Sequence, residues 1–518
     1  MFNGRKSYRL AYIVFFLIRI SAATNSFSQA EKTIIIENAD ITQFETLNGV
    51  KLSRLIGNVR FKHEDALMTC DSAHYFPGEN TMDAFSNVHI WKGDTLNLYG
   101  NFVKYRGNNK TAEIRKNVKL IDKENHLTTN YIDYDLTKDI GYYIGGGRII
   151  NGNNVLTSHQ GYYYAQEKLF FFKDSVVVTN PDYIMYSDTL KYNTVTEIAY
   201  FLGPTDIKSD SNYIYCENGW YDTKLNISQF NKNAYIETRE QKLRGDSLYY
   251  ERETGIGKAF DNVMLEDTAN KIILYGNKAI YYEKIKFAMV TDSALMVIAD
   301  KNDSLYLHAD TLKTEQDTIP DHKLIKAYRH VKFFRKDLQG KCDTLIYSDI
   351  DSIFQLHGEP VLWADENQLT AEYISIETKN QTFYKINMEN SAFIISHEDS
   401  TLFNQIKGRD MQGYFRNNEL KLIDVTGNGQ TIYYAREQGE IMGVNTESSS
   451  NIRINLNNRK IESINYINKI DGAYHPLSKF PEKESRLDKF RWFGDYRPLH
   501  RYDVFRWDEP VQDEVVVK

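Results

Sequence analysis

Acids and amides recur along the chain about every 30 residues: Asp71, Asn101, Asn130, Gln160, Asp188, Glu217, Asp246, Asn277, Asp310, Asp343, Glu372 and Asp410. Four positions after each stands Tyr75, Tyr105, Tyr134, Tyr164, Tyr192, Tyr221, Tyr250, Tyr281, Thr314, Tyr347, Ile376 or Tyr414. A row of side-chain oxygens could coordinate calcium rung by rung, or supply carboxylate pairs for general acid–base work. Neither chemistry fits. Calcium-binding solenoids need dense Gly/Asp nonapeptides. Here Asp, Asn, Gln and Glu exchange freely, which a catalytic pair would not permit. No HExxH, CxxC, GxSxG or phosphate-loop phrase occurs. His89 and His330 fall in repeat phase as strand residues, not as a metal site. The expectation is a protein without enzymatic activity, metal or cofactor, whose anchors are structural.

The residues around each anchor identify the element that carries it. In the second copy, Thr95 to Tyr105 alternates apolar and polar positions, Gly107-Asn108-Asn109 turns, Lys110 to Ile121 alternates again, and Asp122 to Asn125 turns back. Such alternation with Gly/Asn/Asp punctuation marks antiparallel hairpins, and there is no room for a crossover helix. The fold class expected is all-β: an elongated antiparallel solenoid of about 24 or more strands in repeats of about 30 residues.

The second strand of each repeat has its own phrase: Asn58-Val59-Arg60-Phe61, Asn87-Val88-His89-Ile90, Asn117-Val118-Lys119-Leu120, Asn262-Val263-Met264-Leu265 and His330-Val331-Lys332-Phe333. Asp174-Ser175-Val176-Val177-Val178 is a looser copy. The valine and the residue two later share an apolar face. The residue between faces water, as expected of Arg60, Lys119 and Lys332. In the first strand the anchor, an aliphatic two later and the tyrosine share a face. The interior expected from these phrases comprises Val59, Phe61, Val88, Ile90, Val103, Val118, Leu120, Ile132, Val176, Val178, Leu190, Leu248, Val263, Leu265, Val331, Phe333 and Leu345. Asp71, Asn101, Asp188, Asp246, Asp310 and Asp343 are expected to mark where each strand bends between two facing sheets, their side chains satisfying backbone groups at the bend. Gly145-Gly146-Gly147 falls at the comparable place. Cys70, Cys216 and Cys342 each precede an anchor, in a slot that mostly takes small residues. They are expected as buried fillers and not as disulfides.

The sequence is 42% hydrophobic with a net charge of -7 and no Lys/Arg-rich run, so a nucleic-acid partner is not expected. Arg5, Lys6 and Arg9, the apolar run Leu10 to Ile18 and Ser28-Gln29-Ala30 read as an export signal over residues 1–30, with a membrane anchor as the alternative. Residues 31–468 hold the repeats. Residues 469–518 differ, with Pro476, Pro481, Pro498 and Pro510 among Leu487, Phe490, Trp492, Phe493 and Trp507. This tail is expected to cap the trough, dock a partner or pack irregularly on the last rung. Irregular rungs are expected at Thr314 and Ile376, and a change to a terminal cap after Tyr414.

Gly57-Asn58-Val59-Arg60-Phe61, the following Leu67-Met68-Thr69-Cys70-Asp71-Ser72-Ala73-His74-Tyr75 and their reiterations over residues 34–465 resemble the OstA/LptA-like family, the lipopolysaccharide-transport fold also found as the N-terminal domain of LptD. The chain has about three times the repeats of LptA-like proteins. The resemblance implies an antiparallel β-jellyroll, or β-taco, fold: a periplasmic trough whose apolar interior shields the acyl chains of lipopolysaccharide or a related lipid. It also implies end-to-end strand pairing with other Lpt-type envelope proteins, or between copies, bridging towards the outer membrane. Two other readings compete. One is an outer-membrane β-barrel, opposed by the charge at outward positions such as Arg60, Lys104, Lys119, Lys191 and Lys332. The other is a structural or adhesive β-solenoid with a dry core and no lipid cargo.

Overall fold

The computed structural model describes residues 33–508, apart from 48, 94–95, 123–124, 240, 269–270, 300–303, 317–318, 320–321, 380–381, 400, 417–418 and 458–459. The expected export signal therefore lies outside the described residues. The chain divides into two compact units: residues up to 120 with 133–138, and residues 121–132 with 139 onward. The described residues form 34 strands and five short 3-10 turns. All the pairings recorded between strands are antiparallel.

The bend in each rung has one cause, seen plainly in the first unit. Between strands Thr81–Lys92 and Leu96–Arg106, Phe85 opposes Phe102 and Val88 opposes Gly100, so Ser86 and Asn87 together face the single residue Asn101. Ser86 and Asn87 have φ of 62° and 50°. Two residues in the left-handed region against one, a surplus of one, turn the strand sharply. In the second unit the same device recurs at Asp174–Ser175, Lys232–Asn233, Asp261–Asn262, Asp292–Ser293 and Arg329–His330. The asparagine of the Asn-Val phrase is thus the second left-handed residue, a conformation Asn tolerates better than most side chains. Glycine serves the same role at Gly145–Gly146, with φ of 93° and 108°.

This relocates the bend expected at the anchors. The positive-φ pair lies on the neighbouring strand, and the anchor is the one residue it straddles. Asp71, Asn101, Asp188, Asp246 and Asp343 are exposed and Asp310 half-buried, while the preceding small residue is the one that turns inward. The anchors mostly bond side chains, not backbone. Asn87 Nδ2 donates to Asp71 Oδ2 at 2.8 Å, Asn233 Nδ2 to Glu217 Oε1 at 2.8 Å and Asn262 Nδ2 to Asp246 Oδ2 at 2.7 Å. The backbone amide of Asn390, donating to Asp410 Oδ1 at 3.1 Å, follows the expected mode. One rung is out of phase: opposite Gly145–Gly146 the unpaired residue is His159, not Gln160. Its inward tyrosine is accordingly Tyr163, 3% exposed, rather than Tyr164. The run Tyr162-Tyr163-Tyr164 conceals that shift in the sequence.

Each bend separates a valine wall, holding the Val-x-apolar phrase and the residues before each anchor, from a tyrosine wall, holding the residues after it. The rung of Thr314 is regular, an unbroken strand Leu305–Gln316. From residue 353 the rungs break at the bend into separate strands, Ile353–His357 with Val361–Ala364, Asn367–Thr370 with Tyr373–Lys379, Thr382–Glu389 with Phe393–His397, and Phe403–Lys407 with Asp410–Arg416. No cap follows Tyr414. Glu419–Glu437 and Glu440–Asn457 are long strands, and pairing continues through Asp471–Pro476.

Residues 477–508 lie across the outer face of the valine wall of the second unit. Three outward glutamines on alternate strands hold them. Gln405 donates to Ser485 O and accepts from Leu487 N, both at 2.8 Å. Gln368 donates to Arg491 O at 2.7 Å and accepts from Phe493 N at 2.6 Å. Gln339 accepts from Arg497 Nε at 2.8 Å. Each amide pair imitates a strand's own donor and acceptor, which suits an irregular segment crossing a sheet. Between the glutamines stand the buried Trp363 and Ile395, and Ile395 with Phe393 and Phe403 is covered by Leu487, Phe490 and Trp492. Lys332, expected to face water, is fully buried, its Nζ donating to Arg506 O at 2.6 Å.

Candidate functional site

The expected interior residues all turn inward. Val59, Val103 and Val331 have no exposed surface, and of the seventeen only Leu265 is half-buried. They lie nearest the bends, where the two walls meet. The three cysteines sit at the same level, buried and unpaired with one another. Burial pushes the Cys70 and Cys216 thiols up to about 12, and that of Cys342 further. The slot takes small residues because the bend brings the neighbouring strand close: a Cβ at Gly100 would collide with Ile114 Cγ2.

Away from the bends the walls have free lips, and these differ along the chain. In the first unit they are clasped. His63 and the Tyr105 hydroxyl share a hydrogen bond of 2.6 Å, and Lys110 Nζ reaches Glu64 Oε2 at 2.7 Å. Tyr75, Tyr105 and Tyr134 are all buried. The second unit begins the same way: the Tyr163 hydroxyl donates to Asp122 Oδ2, and Lys168 Nζ lies 3.7 Å from that oxygen.

From Tyr183–Asn193 to Phe287–Ile298 the residues at the lips are less covered. On the tyrosine wall Tyr192, Tyr221 and Tyr250 are half-buried and Tyr281 is 44% exposed. Facing inward from the valine wall are Ile207, Ile214, Ile236, Leu243, Leu265 and Ile272, all half-buried. The result is a groove with one aliphatic and one tyrosine lip. Its hydroxyls are partly engaged: Tyr221 donates to Asn226 Oδ1 at 2.8 Å and Tyr250 to Glu283 Oε2 at 2.9 Å. Burial raises the phenols of Tyr192, Tyr221 and Tyr281, and burial with the Glu283 bond takes Tyr250 up to about 12. The tyrosine lip is therefore an uncharged row of polar tips on apolar rings, suited to one apolar and one wet neighbour. Further on, the walls are joined again: the Arg335 guanidinium lies 4.3 Å from the Phe383 ring centre, and the Thr431 and Tyr466 hydroxyls are 2.7 Å apart. Among the described residues no group of three or more His, Cys, Asp or Glu could hold a metal ion.

The aliphatic lip was missed by sequence reasoning, although its signal is regular. Ile214 and Leu243 each stand three residues before an anchor, where other repeats have Met68, Leu98, Met185 and Leu307. The parity change at the bend makes that position inward, and only the paired strands reveal the change.

Bent antiparallel rungs with an apolar interior define a β-jellyroll repeat protein. Residues 31–188 and 184–246 match the OstA-like protein family, and residues 297–382 match the family described as LptA/(LptD N-terminal domain) LPS transport protein. The chain thus carries OstA-like and LptA/LptD N-terminal-type domains over these residues. Among solved structures it is similar to LptH of Pseudomonas aeruginosa, the LptA homologous periplasmic component of a lipopolysaccharide transport device, at 11% identity over 27% of this chain and 95% of that one, with a TM-score of 0.22. No curated protein matches the sequence.

Proposed function

We propose that this chain is a non-enzymatic, periplasmic lipid-binding protein of the lipopolysaccharide export pathway, which shields acyl chains and bridges towards the outer membrane. The observation that carries this reading is the groove with aliphatic and tyrosine lips. Acyl chains exposed to water cost about 0.8 kcal/mol per methylene. A groove apolar at its floor and edged by tyrosine rings removes that cost without a deep pocket to trap the chain. The ligand is lipopolysaccharide or a related acylated lipid, its head left at the lips where the tyrosine hydroxyls stand.

Bridging is supported by the terminal rungs. Among the described residues, Ile35–Asn38 and Ile41–Leu47 pair only with Val50–His63, and Lys460–Ile467 and Asp471–Pro476 only with Glu440–Asn457. Ile35 and Ile41 are more than half exposed and Phe44 is 85% exposed. Such edges offer unpaired backbone groups to the edge strand of another Lpt-type protein or a second copy. The test is depletion of the protein in its own cells with fractionation of the membranes. Newly made lipopolysaccharide is expected to accumulate at the inner membrane. Undisturbed delivery to the cell surface would refute the reading.

A further inference from the structure

The C-terminal segment is not held uniformly. Up to Arg497 it is fastened by the glutamines and by the apolar cluster of Phe393, Ile395 and Phe403 with Leu487, Phe490 and Trp492. Beyond Pro498 its support changes character. There it lies on Tyr306 and His308 of strand Leu305–Gln316, on His330 and Lys332 of Lys323–Arg335, and on Lys341 of Leu338–Ser348. The centre of the Phe505 ring is 4.6 Å from that of His308, and the centre of the Trp507 ring is 5.2 Å from that of His330 and 4.3 Å from Lys341 Nζ. Lys332 Nζ donates to Arg506 O; Asp503 faces Lys332, and Asp508 faces Lys341.

The turn that fills this face is self-supporting. Asp503 Oδ2 accepts from Leu499 N at 3.0 Å and from His500 N at 2.8 Å, closing Arg501–Phe505 on itself. Its shape therefore does not depend on the sheet beneath it, as suits a preorganised ligand. Its charge, however, fits poorly. Arg506 sets a third cation beside Lys332 and Lys341, and at 3.8 Å from Asp503 it shares the carboxylate that faces Lys332. Lys332 is buried with no exposed surface, and burying an amine among like charges is costly. The turn also leaves Leu499, Tyr502 and Phe505 in water, at 39%, 64% and 41% exposed. A segment so held is the first to open locally, and Pro498 directly follows its last firm anchor, Arg497.

We propose that this outer face is a docking site for an acidic, aromatic peptide segment of a partner protein, which residues 499–508 occupy as a weaker self-ligand. The partner's segment carries two aromatic rings spaced as Phe505 and Trp507 are, and an acid where Arg506 stands. A tethered self-ligand competes at a high effective concentration, so the partner must bind better. Exchanging a cation for an acid beside two desolvated lysines supplies that difference. The probe is a dye-labelled synthetic peptide of residues 499–508 carrying Arg506→Glu, paired with the same peptide of natural sequence. Fluorescence anisotropy reads its binding to the full chain. In the chain, Phe505→Ala with Trp507→Ala loosens the self-ligand. Circular dichroism on heating identifies a variant that fails to fold, in which case Trp507→Ala alone replaces it. The acidic peptide is expected to bind the loosened chain about tenfold more tightly than the unmodified chain, and about tenfold more tightly than the natural peptide does. Adding Lys341→Met to the loosened chain should weaken it about tenfold. No binding to the loosened chain, or binding that Lys341→Met leaves unchanged, would overturn the site. Equal binding of the two peptides would overturn the acidic partner and assign the face to the tail of a second copy.

Discussion

Lys332 makes the docking of the C-terminal segment depend on pH, and the size of the effect follows from its surroundings. Its amine is fully buried against Arg506 O, with the Lys341 and Arg506 cations nearby and only Asp503 to offset them. Burial first, then the like charge of Lys341, pushes Lys332 down from 10.5 to about 8. Undocked, the amine returns to its ordinary value. Below pH 8 it is charged in both states and the full penalty applies. Between 8 and 10.5 docking releases a proton, so docking strengthens as pH rises. From pH 7.5 to 9.5 the docking equilibrium is expected to tighten about twentyfold, or about 1.8 kcal/mol. The Lys341 ammonium, lowered by burial, acts in the same direction, whereas the His308 imidazole, lowered from 6.5 by burial, acts only below pH 6.5 and adds nothing in this window. The assay is the rate of tryptic cleavage after Arg501 and Arg506, taken as a ratio to Lys332→Met at each pH to remove the protease's own pH dependence. Protection relative to Lys332→Met should rise about twentyfold. A flat or falling ratio would refute the reasoning.

Gln368 has no exposed surface, and Gln368→Leu leaves Arg491 O and Phe493 N without partners. It should cost about 2 kcal/mol and raise hydrogen exchange at 485–497 selectively; uniform exchange across the chain would point to global destabilisation instead. At the bend, Asn262→Ala loses the Asp246 bond and puts a Cβ-bearing residue without a local side-chain acceptor at φ 51°. It should cost about 1–2 kcal/mol in urea unfolding, whereas Asn262→Gly should cost less than half of that. With all three thiols buried and raised, the native protein should resist maleimide at pH 8 and take up three equivalents once unfolded. Rapid labelling of Cys216 in the native state would mean that the bend opens.

The repeat was legible because each anchor phrase encodes one local event. Asn58-Val59 and Asn87-Val88 announce a left-handed residue followed by an inward valine, and short-range physics decides both. What the phrase cannot state is which of two facing strands carries the distortion, since Asp71 and Asn87 are equally suited to a bend. The inward residues near each bend were therefore found, and the lips were not. The partial exposure of Ile214 and Tyr281 is a tertiary property that no residue type records. The tail was legible only as a change in composition. Gln339, Gln368 and Gln405 look like ordinary solvent-facing strand residues until a segment more than 80 residues away in sequence covers them. Lys332 misled for the same reason.

The central claim is that the groove of the second unit receives lipid while the clasped first unit does not. A photo-crosslinking residue placed singly at Leu243, Tyr281, Val88 and Lys258 in cells tests it most directly. Leu243 and Tyr281 stand at the open lips, Val88 is 1% exposed in the clasped interior, and Lys258 lies on the outer face beside Tyr249. The account predicts lipid adducts, identified by mass spectrometry as lipopolysaccharide or a related acylated lipid, at Leu243 and Tyr281 and none at Val88 or Lys258. Adducts absent from Leu243 and Tyr281, or equally strong at Lys258, would contradict it.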